Sequence, residues 1–399
     1  MPGKIYHAVG VDAGGAWTRC VICVLEEGRL RYAGAGLAES RGWVKGRIVD
    51  QKAVAGCMLA ALRDAESLAS VSAESAVVGM GGGLVRGANS RSVIQFGRLR
   101  EIEQRDVNRA VERASRVHLQ EDRMVLQLLP QDFVVDDHPN HRDPRRMTAR
   151  RLEANVHLVT ASVQEHECLV GAVNLAHLSV EETVFEGIAA AYAAVLPEER
   201  REGVAVVDIG AHSTELVVYF GEALQLASSL PISGDHFTRD VARGLRASHE
   251  GAALVKEEVG CAVVQGTGPN SHVEVPAPEG REAREAPRRV LNGILEARAE
   301  ELFQFVHREI SRVGMDRSLT GGVVLTGGGA KLAGMCDVAE RILCCQARNG
   351  LAIGIKNWPS CLDEPAWTTA AGLAMYSARL KLHGEIERRS MGLLGRVLR

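Results

Sequence analysis

Apolar residues along the chain form two patterns, short runs that are typical of strands and longer segments with helical spacing. Residues 203–208, 216–220 and 322–325 are short, rich in valine and bounded by glycine or polar residues, which predicts buried strands. Residues 49–62 and 290–310 repeat apolar side chains every three or four positions, which predicts amphipathic helices. Strands that alternate with helices in this way indicate an α/β protein.

Two segments show neither pattern, and we predict that they are mainly loops. Residues 132–151 are polar, rich in His and Arg, and contain two prolines, so we expect an exposed loop that leads into a strand at 154–160. Residues 266–287 are interrupted by Pro and Gly, and we expect only a short strand there, around 273–275.

Three glycine-containing stretches follow or join predicted strands. The stretches at 8–18 and 203–215 share one plan, in which a buried strand leads to an Asp, a glycine-rich tight turn and a second strand. The third stretch, at 322–331, opens an apparent helix that extends to 342. Because one plan occurs twice, about half a chain apart, the sequence predicts two similar halves that face a common cleft.

These turns have the composition of a phosphate-binding site. Glycine permits tight dihedrals and close approach, so that backbone N–H groups can surround a phosphate, and a helix N-terminus adds further donors. Asp12 and Asp208, at the strand ends, can hold a hydrated magnesium ion. One such turn is weak evidence, but three in this order favour a nucleotide site. The predicted contacts are both aspartates with Gly14, Gly15, Ala16, Trp17, Gly210, Ala211, His212, Ser213, Thr214, Gly327, Gly328, Gly329 and Ala330.

Composition and charge exclude several other classes of protein. The 399 residues predict two or three domains, and 47 basic against 50 acidic residues give a net charge of −3, so no nucleic-acid partner is expected. Nine scattered cysteines favour a reducing cytoplasm. Cys20 and Cys23 lie in an alternating stretch, where residues three apart point to opposite faces, which argues against a metal site. No window resembles a membrane span of about 18 apolar residues.

Two further motifs lie outside the glycine stretches. Residues 39–46 read E-S-R-G-W-V-K-G, and residues 125–136 read V-L-Q-L-L-P-Q-D-F-V-V-D. Together with the three stretches they resemble the actin–sugar kinase–chaperone ATPase superfamily and, within it, the FtsA family of bacterial cell-division proteins. Segments 156–160, 180–192 and 274–276 match this family too, so the resemblance covers nearly the whole chain.

The resemblance implies an α/β, actin-like (ribonuclease H-like) two-domain fold with a nucleotide cleft and an FtsA-type insertion subdomain. The implied divisions are subdomain 1A at 1–83, 166–200 and 365–383, the insertion subdomain 1C at 84–165, subdomain 2A at 201–235 and 315–364, subdomain 2B at 236–314, a linker at 384–390 and a membrane-targeting helix at 391–399.

The resemblance also implies a function at the cytoplasmic face of the bacterial cell membrane, at the division site. We expect a peripheral membrane protein that binds ATP and Mg²⁺, associates with itself into filaments, anchors FtsZ filaments in the division ring and contacts other division proteins. The FtsZ C-terminal tail is expected on the lobe with the long helix, where Arg298 matches a family position and Glu301 and Gln304 are neighbours. The alternative for these three is that they are exposed positions on an amphipathic helix.

This chain departs from the superfamily pattern at several positions in the expected cleft. Trp17 stands where a Lys is usual, and Ala211 and His212 replace the second and third glycines of D-I-G-G-G-T. In the adenosine-side pattern A-E-x-[IV]-K, Lys256 is kept but Ala253 replaces the acid. His212 is expected either to donate a hydrogen bond to a phosphate, to fill the space of the terminal phosphate, or to point to solvent.

Glu186 matches the helix start where superfamily relatives place an acid that orients the attacking water. It is therefore the candidate general base, and the alternative is an acid that interacts only with the helix dipole. Because both hairpins are altered, we expect at most slow ATP hydrolysis.

The last nine residues predict a short cationic amphipathic helix. Such a helix lies in the bilayer interface and favours anionic lipid, like that of the inner membrane surface. The alternative is a terminal helix docked on its own domain. The predicted membrane contacts are Met391, Leu393, Leu394, Arg396, Val397, Leu398 and Arg399.

Two other functions are open at this point, a small-molecule kinase of the same superfamily and a pilus-assembly actin homologue. A kinase needs a base above a bound hydroxyl substrate, in the region that the insertion at 84–165 is expected to occupy. The motifs at 39–46 and 130–133 favour FtsA over the pilus protein.

Overall fold

Two α/β halves, each built on its own sheet, face each other in the computed structural model. It describes residues 5–276 and 283–397, and only the backbone from 384 onward. The strands are β1 (Tyr6–Ala13), β2 (Trp17–Glu26), β3 (Arg29–Glu39), β4 (Trp43–Val44), β5 (Arg47–Ile48), β6 (Ser75–Met80), β7 (Arg86–Glu101), β8 (Arg123–Val135), β9 (His138–His141), β10 (Thr148–Ser162), β11 (Ser179–Phe185), β12 (Val204–Ile209), β13 (Thr214–Phe220), β14 (Ala223–Leu230), β15 (His272–Val275), β16 (Arg284–Pro287), β17 (Val323–Thr326) and β18 (Ala347–Asn349).

The helices connect and cover these strands. They are α1 (Gln51–Ala69), α2 (Gln104–Ser115), α3 (Val163–Leu175), α4 (Glu186–Ala194), α5 (Pro197–Glu202), α6 (Gly234–Gly244), α7 (His249–Val259), α8 (Arg288–Arg312), α9 (Met335–Leu343) and α10 (Thr368–Val397), with 3₁₀ turns at Gly328–Lys331, Ser360–Leu362 and Pro365–Trp367.

One strand arrangement occurs twice, which confirms the internal repeat. The first sheet has the order β11-β6-β1-β2-β3, and the second begins β18-β17-β12-β13-β14. In each, the central strand, β1 or β12, has a parallel neighbour on one side and an antiparallel hairpin partner on the other. Both hairpins therefore end at the same place in their sheets, which brings their turns to one cleft.

The core explains why β12 is a continuous run of apolar residues. Val206 of β12 packs in one cluster with Phe185, beneath α4, whereas Val207 packs in the other cluster with Phe303 of α8. Both faces of β12 are therefore buried, and a strand buried on both faces needs no polar alternation. Cys20 and Cys23 of β2 likewise lie in different clusters, as their spacing predicted.

The insertion between β6 and α3 extends the sheet of the second half. Its strands continue that sheet in the order β7-β10-β8-β9, and β14 joins β7 through the pair Ser228 and Arg86. Helix α2 covers this part of the sheet, with Ile102 and Leu152 in the core beneath it. A segment that interrupts the first half in sequence is thus hydrogen-bonded to the second half.

The predicted loop at 132–151 is wrong, because most of this segment lies in β8, β9 and β10. Asp136 and Asp137 adopt positive φ angles of 44° and 68°, which form the tight turn between β8 and β9. Pro139 lies in β9 at the edge of the sheet, where the missing N–H interrupts no ladder. The short strand predicted around 273–275 is confirmed, and β16 pairs with it.

The predicted helices at 49–62 and 290–310 are confirmed as α1 and α8. The side chain of Asp50 caps α1 by accepting hydrogen bonds from the amides of Lys52 and Ala53, at 3.0 and 3.1 Å. The single helix expected after the third glycine stretch is instead a 3₁₀ turn followed by α9. Gly334, at a φ of +82°, separates them.

Helix α10 contacts both α4 and the first sheet through glycine. A Cβ on Gly372 would lie 1.8 Å from the carbonyl oxygen of Ala189, and one on Gly10 would lie 2.3 Å from the amide nitrogen of Ala374. The backbone remains helical through 384–390, where a linker was predicted. Glu, Ile and Arg in this segment are compatible with a helix, which explains the difference. Leu398 and Arg399 lie outside the described residues, and none of the described helices is long and apolar enough to cross a bilayer.

Two helical glycines test this packing. Gly372→Ala should lower the melting temperature, because the added methyl group forces α10 from α4 at a cost of about 1–3 kcal/mol. Gly56→Ala is the matched control, since Gly56 of α1 is exposed and nothing lies within 4 Å of its Cβ position. The control should gain about 0.5–1 kcal/mol from helix propensity. Thermal denaturation measures both, and shifts of the same sign would contradict the packing described.

Candidate functional site

A cleft of about 580 Å³ lies between the two halves, and all three glycine stretches line it. This volume is in the range of small-molecule sites. The cleft also receives Glu186 from the start of α4 and Lys256 from α7. The predicted residues that line it are Asp12, Gly14, Gly15, Ala16, Trp17, Glu186, Asp208, Gly210, Ala211, His212, Ser213, Lys256, Gly327, Gly328 and Gly329.

Thr214 and Ala330 were predicted as contacts, but they do not line the cleft. Thr214 is fully buried, and its hydroxyl donates a hydrogen bond of 2.7 Å to the carbonyl oxygen of Ile232. Ala330 belongs to the core of the second half. Both side chains are therefore buried beneath the turns, in the protein interior, and do not face the cleft.

Arg19 is a cleft residue that the sequence reasoning missed. The register of β1 and β2 places it directly opposite Asp12, and its guanidinium lies 5.6 Å from the ring centroid of Trp367. Its Nε is buried and has no hydrogen-bond partner among the described residues. Trp17, by contrast, stays 44% exposed at the mouth. Alternation along β2 could have pointed to position 19, since residues two apart share a face.

The second hairpin meets the third glycine stretch without space for a side chain. A Cβ on Gly327 would lie 2.5 Å from Oδ1 of Asp208 and 2.6 Å from the carbonyl oxygen of Ile209. Thr369, at the start of α10, donates a hydrogen bond of 2.8 Å to Oδ2 of Asp208. Thr369 was also missed, because no local pattern connects residues that are 161 positions apart in the chain.

Four interacting carboxyl groups face the cleft, those of Asp12, Glu186, Asp208 and Glu215, and Asp235 and Glu257 line it as well. Burial raises the pKa of Asp12 to about 7 against the opposing effect of Arg19, and burial together with Asp208 raises the pKa of Glu215 to about 7. Burial also raises the pKa of Asp208, and burial with Glu215 holds the pKa of Glu186 well above its usual value. The cleft therefore favours a cation or protons.

Glycines 81 and 82 hold the two glutamates close together. The amide of Gly82 donates a hydrogen bond of 2.9 Å to Oε1 of Glu215, and a Cβ on Gly81 would lie 2.1 Å from Oε2 of Glu186. Within residues 5–276 and 283–397, no three His, Cys, Asp or Glu side chains are placed to ligate a metal ion together. A magnesium ion held through water by Asp12 and Asp208 stays a prediction.

His212 faces the first hairpin, so the alternative in which it points to solvent is wrong. A Cβ on Gly15 would lie 2.2 Å from Nδ1 of His212, which means that the imidazole packs directly on Gly15. This Nδ1 is buried without a partner among the described residues, and burial lowers the pKa of the ring.

The turn amides are free to bind an anion. Among the described residues, none accepts a hydrogen bond from the amides of Gly15, Ala16, Ala211 or His212. At the other end of the cleft, Nζ of Lys256 donates a hydrogen bond of 2.9 Å to the hydroxyl of Thr238. Unpaired donors at the turns, next to carboxylates and one guanidinium, suit a phosphate that arrives with a divalent cation.

A second, shallower groove of about 480 Å³ lies between α6 and α8 and contains Arg298. Its Nε donates a hydrogen bond of 2.5 Å to Oδ2 of Asp240, and it also pairs with Glu301. Gln304 is exposed one turn further along α8. Arg298 and Glu301 are therefore parts of one groove, and Asp240 is a member that the sequence did not reveal.

Solved structures share this arrangement of two similar halves around a cleft. The fold matches a PilM–PilN type IV pilus biogenesis complex with a TM-score of 0.68 and 18% identity, covering 93% of this chain and 98% of that one. It matches MreB5 of Spiroplasma citri bound to ADP with a TM-score of 0.55 and 13% identity, covering 94% and 98%. The class is that of the actin-like ATPase fold, which confirms the predicted fold.

The sequence comparisons define the family. Residues 205–372 match the model of cell division protein FtsA, and residues 82–160 match that of the SHS2 domain inserted in FtsA. Cell division protein FtsA of Pseudomonas aeruginosa is 32% identical over 377 residues, which cover 94% of this chain and 90% of the relative. That of Escherichia coli K12 is 31% identical, with coverage of 95% and 92%. The chain belongs to the FtsA family of cell-division proteins.

The raised pKa of Asp12 gives a prediction about stability and pH. The pKa of an Asp in the unfolded chain is about 3.8, but in the folded protein the pKa of Asp12 is about 7, so wild-type stability falls as the pH rises through this window. Asp12→Asn cannot ionise and should melt at a higher temperature than the wild type at pH 8, with the difference disappearing towards pH 4.

Thermal denaturation between pH 4 and pH 8 makes this measurement, and Asp64→Asn, an exposed position on α1, is the matched control. A difference in melting temperature between Asp12→Asn and the wild type that stays constant with pH would contradict the raised pKa of Asp12.

Proposed function

We propose that this chain is an ATP-binding, actin-like scaffold that polymerises and anchors FtsZ filaments to the cytoplasmic face of the bacterial cell membrane in the division ring. Membership of the FtsA family supports the role in cell division. The observation that carries the proposal is the convergence of two strand–Asp–glycine hairpins on one cleft.

The residues in the cleft fit a nucleotide with Mg²⁺. The free amides of the two hairpins would bind phosphate oxygens, and Arg19 would add a positive charge where Trp17 supplies none. Asp12 and Asp208 would hold the cation through water, which offsets phosphate charge when bound. The solved MreB5 structures, which contain ADP or AMPPNP, support a nucleotide as the ligand class for this fold.

Slow hydrolysis at most is the corresponding proposal for catalysis. Glu186 is the first residue of α4 and faces the cleft, where a general base would lie. Burial and the neighbouring Glu215 hold the pKa of its carboxyl well above the usual value, which disfavours the ionised form that a general base requires. We therefore propose that ATP is a structural and regulatory ligand.

Membrane attachment is proposed for the C-terminal residues, on the basis of their sequence. With helical spacing, Met391, Leu394, Val397 and Leu398 share one side, and arginines occupy the other. A helix this short binds a bilayer weakly, and a filament that presents many copies adds avidity.

Two single substitutions, each of which introduces one Glu, test this membrane attachment. Leu394→Glu should abolish co-sedimentation with vesicles that contain anionic lipid, because it places a charge on the apolar side. Gly392→Glu adds the same charge on the polar side and should reduce binding only modestly, within about threefold. Equal loss of vesicle binding in both variants would mean that general electrostatic attraction, and not an amphipathic helix, holds the protein on the membrane. Unchanged binding in both variants would contradict the proposed anchor.

The groove between α6 and α8 is the proposed site for the FtsZ C-terminal tail. Arg298→Ala should weaken the binding of a peptide with that sequence by about tenfold, because Arg298 is a basic residue at the groove that Asp240 and Glu301 hold in a fixed position. Fluorescence anisotropy with a labelled peptide measures this affinity.

Arg312→Ala is the control on the same helix, since Arg312 pairs with Glu309 outside the groove. The control should bind like the wild type. Peptide binding that Arg298→Ala leaves unchanged would place the partner elsewhere.

A further inference from the structure

The tips of the two hairpins are in direct contact through His212. A Cβ added to Gly15 would lie 2.2 Å from Nδ1 of His212 and 2.8 Å from both Cγ and Cε1 of the same ring, so the imidazole covers Gly15. On another side, a Cβ on Gly46, in the turn between β4 and β5, would lie 3.5 Å from Cβ of His212. The side chain therefore fills the space between the first hairpin and the β4–β5 turn.

This position conflicts with a phosphate group between the hairpin tips. A phosphate group bound by amides from both sides needs more than about 6 Å between the donors, since each N–H···O bond measures about 2.9 Å and the phosphate oxygens are themselves separated. The imidazole of the second hairpin lies against Gly15 of the first, and the amides of Gly15 and Ala211 have no hydrogen-bond acceptor among the described residues. The rest of the cleft, towards Lys256 and Gly328, stays open.

Packing alone holds the ring in place. Nδ1 of His212 is buried and has no hydrogen-bond partner among the described residues. A side chain without such a bond can change its rotamer, and the space it leaves would be lined by glycine. The ring can therefore be displaced, at a free-energy cost that a ligand must overcome.

We propose that His212 determines phosphate specificity, by disfavouring the terminal phosphate of a nucleoside triphosphate relative to a nucleoside diphosphate. The inference rests on the proposed nucleotide site and adds a preference within it. The diphosphate occupies the open part of the cleft, whereas the triphosphate binds only after the ring has moved. The chain then takes up a triphosphate less readily than the glycine pattern D-I-G-G-G-T would allow.

The test compares ADP with the non-hydrolysable analogue AMPPNP, each with Mg²⁺, by calorimetric titration of the full chain. The wild type should bind ADP about tenfold more tightly than AMPPNP, a difference of about 1.4 kcal/mol. His212→Ala should remove most of this preference by a gain in AMPPNP affinity, with ADP affinity within about threefold of the wild type.

Two further variants separate bulk from hydrogen bonding. His212→Phe keeps the ring without its nitrogens and should retain the preference for ADP. His249→Ala removes another imidazole that lines the cleft, at the start of α7, and should affect both nucleotides alike. Melting temperatures close to that of the wild type show that each variant is folded.

Several outcomes would overturn the inference. An AMPPNP affinity that equals or exceeds that of ADP in the wild type contradicts it, and so does a loss of AMPPNP binding in both His212→Ala and His212→Phe, which would make the imidazole a phosphate donor. If both nucleotides bind equally in every variant, the nucleotide site stands and the inference fails. If neither nucleotide binds the wild type or His212→Ala, the proposed site fails as well.

Discussion

Four interacting carboxyl groups in one cleft, those of Asp12, Glu186, Asp208 and Glu215, are the constraint on which the rest of this structure depends. Their mutual repulsion and their burial oppose folding, and the protein offsets both with specific contacts. Arg19 lies opposite Asp12, Thr369 donates to Asp208, and the amide of Gly82 donates to Glu215. These contacts join both hairpins and α10, so the two halves meet where the charge is concentrated. The remaining negative charge favours a cation, which would in turn offset the charge of a phosphate.

Close backbone approach is the second constraint, and it explains where this chain can vary. Gly327 and Gly15 have no space for a side chain, because Asp208 and His212 lie against them. His212 occupies a place where the superfamily pattern has glycine, and the first hairpin accommodates it only through Gly15. The two hairpins are therefore linked: the second has gained the ring of His212, and Gly15 of the first provides the surface that this ring covers. Under the proposed function, Arg19 would compensate in part for the cation that is absent at position 17.

The sequence predicted local features well and long-range ones poorly. Both hairpins, α1 and α8 follow from patterns within about 25 residues, and the repeat of one plan predicted two similar halves. Thr369 and Asp240 reach their sites through packing between distant segments, which leaves no local pattern. Residues 132–151 were misjudged because a polar strand at a sheet edge has the composition of a loop. At 384–390 the family resemblance implied a linker, whereas the backbone there continues α10.

Hydrogen–deuterium exchange with and without Mg²⁺–ATP tests the central claim most directly, namely that three distant turns form one nucleotide site. The account predicts slower exchange in peptides that cover 12–18, 208–214 and 326–331, all at the same nucleotide concentration, because one ligand orders all three. Peptides from α2 in the insertion should not change and serve as the internal control. Slower exchange confined to a single turn, or no change in any turn at saturating nucleotide, would contradict the account.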